Sequence, residues 1–97
     1  MESKYDAIFI IKNDDKIIED IITTINYLVE ENCKIIKKEK IGIKKLAYEI
    51  KGEKQGYYYF INFKTLSDKD NIINIIRAKM NTINEIIKYQ IIRNEEI

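Results

Sequence analysis

The stretch KIIKKEKIGIKKLAYEIKGEKQGYYYFINFK, residues 34–64, places two runs of strand-forming residues on either side of a short polar segment. Residues 34–51 predict one long extended strand, and the β-branched and aromatic residues of Gly56–Lys64 predict another. Residues 52–55, GEKQ, are typical of a turn. This part of the chain therefore predicts an antiparallel hairpin.

The apolar residues of the first hairpin strand fall into two phases. Leu46 and Tyr48 alternate on one face, which we expect to be directed at the core. Ile41 and Ile43 lie in the opposite phase, so a bulge or bend is expected within residues 42–45. In the second hairpin strand two faces alternate: one carries Tyr57, Tyr59, Ile61 and Phe63, and the other carries Tyr58, Phe60, Asn62 and Lys64.

A strand and a helix are predicted on each side of the hairpin. Residues 5–12 alternate as a strand does, and residues 14–32 repeat their isoleucines at helical spacing, with Asn13 as the expected N-cap. Residues 68–80 predict a second helix and residues 85–94 a fourth strand.

Two finer expectations concern the boundaries of these later elements. Ser67 and Asp70 resemble a capping box at the start of the second helix. In the fourth strand Ile87, Tyr89 and Ile91 are expected to point inward.

The predicted order is βαββαβ. Two crossover helices of this kind pack on one face of the sheet because such connections are right-handed. We therefore predict an α+β, ferredoxin-like fold, a four-stranded antiparallel sheet with two helices on one face and the other face open. The 97 residues are expected to form one domain, residues 1–97, with a short polar tail at 94–97.

Composition argues against an enzyme. The chain has no His, one Cys and a net charge of +1, from 17 basic and 16 acidic residues. Histidine-dependent catalysis, an internal disulfide and a thiolate zinc site are therefore excluded. No glycine pattern predicts a phosphate loop, and neither a signal peptide nor a membrane-spanning run is recognisable. We predict no catalytic residue, no cofactor and no metal.

Positive charge is concentrated in one segment of this nearly neutral chain. Six lysines accompany the single acid Glu39 there: Lys34, Lys37, Lys38, Lys40, Lys44 and Lys45. Such a cluster suits a surface that binds phosphates. It equally suits an edge strand on which lysines prevent aggregation, and the spacing leaves both interpretations open.

The open sheet face is expected to present Tyr58 and Phe60, with Lys88 and Gln90 near them. Aromatic residues in this place stack on bases in some RNA-binding modules, but the surrounding signature fits those modules poorly. An exposed aromatic patch also favours a protein interface. We therefore predict that Tyr58 and Phe60 contact a partner protein.

The segment Gly42-Ile43-Lys44-Lys45-Leu46-Ala47-Tyr48-Glu49-Ile50 resembles the second-strand signature of the bacterial small-ribosomal-subunit protein six family. Tyr5 at the start of the first strand, Gln55-Gly56-Tyr57 and Asn84-Glu85-Ile86-Ile87-Lys88-Tyr89 agree with the same family. The resemblance extends from Tyr5 to Arg93.

The resemblance implies a structural, non-enzymatic component of the small ribosomal subunit in the cytoplasm. It implies binding to the central domain of 16S rRNA as a heterodimer with small-subunit ribosomal protein eighteen, beside protein fifteen. By the family pattern the rRNA-binding positions fall on Lys4, Lys44, Lys45, Lys88 and Arg93. The family often has Arg at these places, whereas this chain has mostly Lys. Lysine keeps the positive charge but lacks the planar guanidinium group that forms two parallel hydrogen bonds to a phosphate.

Other functions occur on the same fold, because a fold does not decide a function. The alternatives are a small-molecule-sensing regulatory domain and a general protein-interaction domain. The segment Lys12-Asn13-Asp14-Asp15 lacks the glycines with which a sensing loop commonly grips its ligand.

Overall fold

The computed structural model of the chain describes residues 3–66 and 71–94. Its six elements follow the predicted βαββαβ order: β1 Lys4–Lys12, α1 Ile18–Glu30, β2 Cys33–Ile50, β3 Glu53–Thr65, α2 Asn71–Met80 and β4 Ile86–Arg93. The four strands form one antiparallel sheet in the order β2-β3-β1-β4. The predicted ferredoxin-like fold is confirmed.

The main core lies between the sheet and the two helices. Phe9 of β1 sits at its centre, and its ring lies 6.5 Å from that of Tyr59 on β3 and 6.1 Å from that of Tyr89 on β4. Each helix buries one stripe at intervals of three or four residues. The buried helix residues are Ile18, Ile22, Ile25, Val29, Ile72, Ile76 and Met80.

The first helix begins later than the sequence predicted. The N-cap position is Ile17, not Asn13, and its side chain makes no capping hydrogen bond. Asp14 instead closes the turn before the helix: its carbonyl accepts hydrogen bonds from the backbone N–H groups of Ile17 and Ile18, and its Oδ1 accepts one from the N–H of Lys16. This local turn competes with helix for residues 14–17. The predicted Ser67–Asp70 capping box lies outside the described residues.

Strand β2 is interrupted by bulges, and the turn that follows it is tighter than predicted. Its register against β3 shifts between Ile35 and Lys37, between Lys40 and Gly42, and between Lys45 and Ile50. The middle shift lies just before the expected position, and Gly42 there adopts a φ of 102°. The turn consists of Lys51 and Gly52, both with positive φ, rather than of residues 52–55. Two-residue hairpin turns favour this conformation because it matches the twist of the strands.

The last bulge of β2 places part of this edge strand over the face of the sheet that the helices leave uncovered, which we call the outer face. Leu46 packs there against Ile10 of β1 and Ile87 of β4 in a small second core. Gly56 lies in the same place, and a Cβ at this position would overlap the side chain of Ile10. The outer face is therefore closed at one end, where the sequence predicted it to be open throughout.

The second core corrects three predictions about which face of the sheet a residue lies on. Leu46 is buried, but on the outer face rather than in the main core. Tyr48 is 64% exposed and lies beside Lys88 on the outer face rather than in the main core. Ile87 belongs to the second core as well, since the pairing of β1 with β4 shifts between Ile10 and Ile11. Tyr89 and Ile91 face the main core as predicted.

Cys33 begins β2 directly after α1 and is buried in the main core. Burial raises the pKa of its thiol to about 11. A thiol is reactive only as the thiolate, so this cysteine behaves as a small apolar core residue. In the described residues no group of three or more His, Cys, Asp and Glu side chains could hold a metal ion. No helix in the same residues is long and apolar enough to cross a membrane.

Replacing Leu46 by Ala should lower the free energy of unfolding by about 2–4 kcal/mol, because the change leaves a cavity between β1, β2 and β4. Replacing Tyr48 by Ala should lower it by less than about 1 kcal/mol, because that side chain is largely exposed. Urea denaturation of the two variants measures both values. Equal losses would contradict the placement of Leu46 in a second core.

Cys33 should resist alkylation by iodoacetamide at pH 8 in the native protein. At a pKa of about 11 only about one thiol in a thousand is ionised at that pH. In urea the thiol should react at the rate of a free cysteine. Rapid reaction of the native protein, followed by mass spectrometry, would contradict the burial described above.

Candidate nucleic-acid and partner interface

The lysine run of β2 does not form one patch, because successive side chains of a strand point to opposite faces. Three of these lysines lie opposite outer-face residues of β3, or opposite Gly56: Lys34, Lys37 and Lys44. The other three lie on the helix side: Lys38, Lys40 and Lys45. The pattern of bulges decides this division, and the linear sequence does not.

Lys40 on the helix side forms an ion pair rather than part of a free cationic surface. Its Nζ lies 2.9 Å from Oε1 of Glu19 on α1. The hydrogen bond and the charge of Glu19 raise the pKa of Lys40. Both side chains are well exposed, so water screens the pair and its contribution to stability is small. Its effect is to remove one lysine from the predicted basic cluster.

The neighbouring strands add lysines to the outer face. Lys4 of β1 lies directly opposite Lys64 of β3, which in turn lies opposite Lys34 of β2. These lysines form a row across three strands, where like charges repel one another. Sequence reasoning singled out Lys4 and noted Lys34, but only strand register could reveal that Lys64 lies between them.

Among the residues that the structure describes, Asp6 of β1 and Glu39 of β2 are carboxylates on the outer face. Asp6 lies one outer-face position along β1 from Lys4. Its Oδ1 accepts a hydrogen bond from Nδ2 of Asn62 at 2.7 Å, and its Oδ2 accepts one from Nδ2 of Asn94 at 3.1 Å. Glu39 lies opposite Phe60, further along the sheet. Asp6 is thus held by two amide donors, and Glu39 lies away from the lysine row.

Tyr58 and Phe60 lie on the outer face as predicted, but in different surroundings. Tyr58 packs against the second core beside Ile10. Phe60 is half-buried between Ile8 of β1 and Glu39 of β2, and it belongs to neither core. Phe60 is therefore the more available of the two for contact with another molecule.

Lys88 lies at the closed end of the outer face, opposite Ile10. Its Nζ donates a hydrogen bond to the Tyr48 hydroxyl at 3.4 Å and lies 5.7 Å from the centre of that ring. A cation over an aromatic face is attracted by the ring quadrupole. This contact joins the hairpin to β4.

The five residues that the resemblance marked for rRNA binding do not form one site. Lys44 and Lys88 share the outer face at its closed end, and Lys45 points to the opposite side. Lys4 lies near the other end, about 20 Å away along β1. Arg93 lies opposite Tyr5 and donates a hydrogen bond from Nη2 to Oγ of Ser3 at 3.3 Å. On the outer face Lys4 is therefore separated from Lys44 and Lys88 by an aromatic strip, Tyr58 and Phe60, whereas Arg93 lies on the helix side because it is opposite the core-facing Tyr5.

A pocket of about 240 Å³ lies between the bulged segment of β2 and the outer face. Ile8, Leu46, Tyr58 and Gln90 are among the residues that line it. Ligand pockets usually measure about 300–1,000 Å³. This one is smaller, so it gives no support to the small-molecule-sensing alternative.

Comparison with known proteins agrees with this geometry. The family model described as Ribosomal protein S6 matches residues 4–93. Small ribosomal subunit protein bS6 of Rickettsia prowazekii is 35% identical over 98% of this chain and 78% of its own length, and that of Rickettsia canadensis is 36% identical over the same shares. The crystal structure of 30S ribosomal protein S6 from Thermotoga maritima matches with a TM-score of 0.87 at 31% identity, over 97% of this chain and 89% of that one.

The chain therefore belongs to the ribosomal protein S6 family, which is a family of the small ribosomal subunit and not an enzyme family. The resemblance derived from the second-strand signature is confirmed, as is the predicted location in the cytoplasmic ribosome.

Proposed function

We propose that this member of the S6 family binds the central domain of 16S rRNA as a heterodimer with small-subunit ribosomal protein eighteen, beside protein fifteen. In this role the chain has no catalytic activity and needs no cofactor. The observation that carries the proposal is the outer face, on which lysines from four strands surround a half-buried aromatic strip. The proposed rRNA-binding residues are Lys4, Lys44, Lys45, Lys88 and Arg93, and the proposed partner contacts are Tyr58 and Phe60.

Electrostatics supports RNA binding on one side of the molecule. Lysines that neutralise phosphates release counterions, so the affinity falls steeply as salt rises. The helix layer carries exposed acids at both ends of α1, among them Glu19, Asp20, Glu30 and Glu31. Glu19 and Glu31 each pair with a lysine, and the remaining acids of α1 disfavour RNA near that helix, so the outer face and the hairpin are the surfaces proposed to approach it.

The charge of the whole chain supports the need for a partner. A net charge of +1 gives weak long-range attraction to RNA. Phe60 and the exposed Ile92 give the outer face apolar surface that a partner protein can cover. A basic partner seated there adds cations beside Lys4 and Lys88 and raises the affinity of the pair for RNA.

The direct experiment measures binding to a central-domain fragment of 16S rRNA, with and without protein eighteen, over a series of salt concentrations. Tight binding that needs the partner and weakens with salt is the expected result. Absence of binding under both conditions would contradict the proposal.

Replacing Lys44 and Lys45 together by Glu should weaken rRNA binding in the presence of the partner. It should also reduce the slope of log K against log salt concentration by about 1–2, because up to two phosphate contacts are lost. Stability should change little, since both side chains are exposed. A Lys16→Glu/Lys38→Glu double variant makes the same charge change away from the outer face and serves as the control. Equal effects of the two double variants would remove Lys44 and Lys45 from the site.

Replacing Phe60 by Ala should weaken the affinity for protein eighteen by roughly tenfold, as expected for an aromatic contact at an interface. Calorimetric titration of the two proteins without RNA measures this directly. Tyr27→Ala is the control, because that tyrosine is 68% exposed on α1 in the opposite layer. An unchanged affinity of the Phe60 variant would place the partner elsewhere.

A further inference from the structure

A second cationic site lies at the outer edge of β4. A pocket of about 300 Å³ opens there between the end of α2, the start of β4 and the turn of the β2–β3 hairpin. Three basic residues from three different elements line it: Lys51 of the turn, Arg77 of α2 and Lys88 of β4. No carboxylate lines this pocket among the residues that the structure describes.

The hydrogen-bond acceptors around the pocket are already engaged. The hydroxyl of Tyr89 contacts both Oδ1 of Asn81, at 2.7 Å, and the carbonyl of Arg77, at 3.2 Å. With its oxygen held in this way, the Asn81 side chain offers the pocket its NH₂ group, which is a donor.

The carboxyl end of α2 does not supply free acceptors either. The carbonyls of Arg77, Lys79 and Met80 accept hydrogen bonds from the backbone N–H groups of Asn81, Thr82 and Ile83, at 3.0–3.2 Å. These short bonds reduce the partial negative charge that a helix end otherwise presents.

Hydrogen-bond donors, by contrast, remain available around the pocket. The guanidinium of Arg77 donates from Nη2 to the carbonyl of Ile91 at 3.1 Å, which fixes its orientation beside β4. Arginine has five N–H donors, so this bond leaves others for a ligand. Lys51 forms no hydrogen bond or ion pair within the described part of the chain.

We infer that this pocket binds one phosphate group of an RNA backbone, through Lys51, Arg77 and Lys88. The inference rests on the proposed function for the source of the phosphate, and it adds Lys51 and Arg77 to the residues proposed above. A phosphate presents several oxygens to donors that converge from three elements, whereas a side-chain carboxylate presents two. Lys44 lies at the same end of the sheet as the pocket but three strands away, about 14 Å at the usual strand spacing, so one RNA strand that crosses the sheet end can contact both.

The first test uses the isolated protein and inorganic phosphate. Amide chemical shifts are followed by NMR while phosphate replaces chloride at constant ionic strength. Saturable shifts at Lys51, Asn81 and Lys88 are expected, and Lys51→Gln and Lys88→Gln should each weaken the phosphate affinity by about two- to fivefold. Lys54→Gln is the matched control, because this exposed lysine lies on the same hairpin outside the pocket.

Two results of this titration would overturn the inference. One is a response that does not saturate or that spreads evenly over the lysine-bearing surfaces. The other is saturable binding of a short glutamate peptide without binding of phosphate, which would assign the pocket to an acidic protein.

The second test measures rRNA binding in the presence of protein eighteen. Lys51→Gln, Lys88→Gln and an Arg77→Gln variant that retains the wild-type melting temperature should each bind more weakly than Lys54→Gln. If the wild type binds and all variants match the control, the inference is overturned and Lys88 leaves the proposed rRNA-binding residues, while the proposed function stands on the others. If the wild type does not bind, the proposed function fails, and RNA is lost as the source of the phosphate.

Discussion

The register of β1 against its two neighbours determines both faces of this molecule. Side chains alternate along the strand, so Phe9 faces the helices while Lys4 and Ile10 face outward. A slip of one residue would turn Lys4 toward the helices and Phe9 toward water. Burying an unpaired ammonium group costs several kcal/mol, so the apolar pattern of β1 excludes that alternative. The lysine row on the outer face is thus a consequence of the same alternation that forms the core.

After the register of β1, the bulges of β2 have the largest effect on which side chains each face of the sheet presents. Each extra residue changes which side chains follow it on a given face. They divide the lysine run between the two sides and turn Leu46 over the end of the sheet. Without the last bulge the hairpin would continue straight, the second core would not form, and Lys88 would lose its contact with Tyr48. A bulged edge strand rich in lysine also resists pairing with other chains, so the protective interpretation of the lysine run is compatible with the proposed one.

Charge is distributed unevenly between the two layers of the fold. Exposed acids cluster on α1, and lysines cluster on the outer face and around the hairpin. For a chain with a net charge near zero, this separation allows orientation toward an anionic surface without strong attraction to every polyanion. The pocket at the edge of β4 extends the cationic surface beyond the sheet, because the turn, α2 and β4 each contribute one basic side chain.

The sequence by itself determined the order of elements, the core-facing stripes of both helices and of β1, and the family, because these depend on periodicity and on motifs that lie close together in the chain. It placed Tyr58 and Phe60 on the outer face for the same reason. The start of α1 at Ile18 depends on the local turn at Asp14, which the helical periodicity does not reveal. The burial of Leu46 beside Ile10 and Ile87, and the row of Lys34, Lys64 and Lys4, were decided only by the tertiary structure, because a bulge and a strand register are set by contacts between residues that are close in space and distant in sequence.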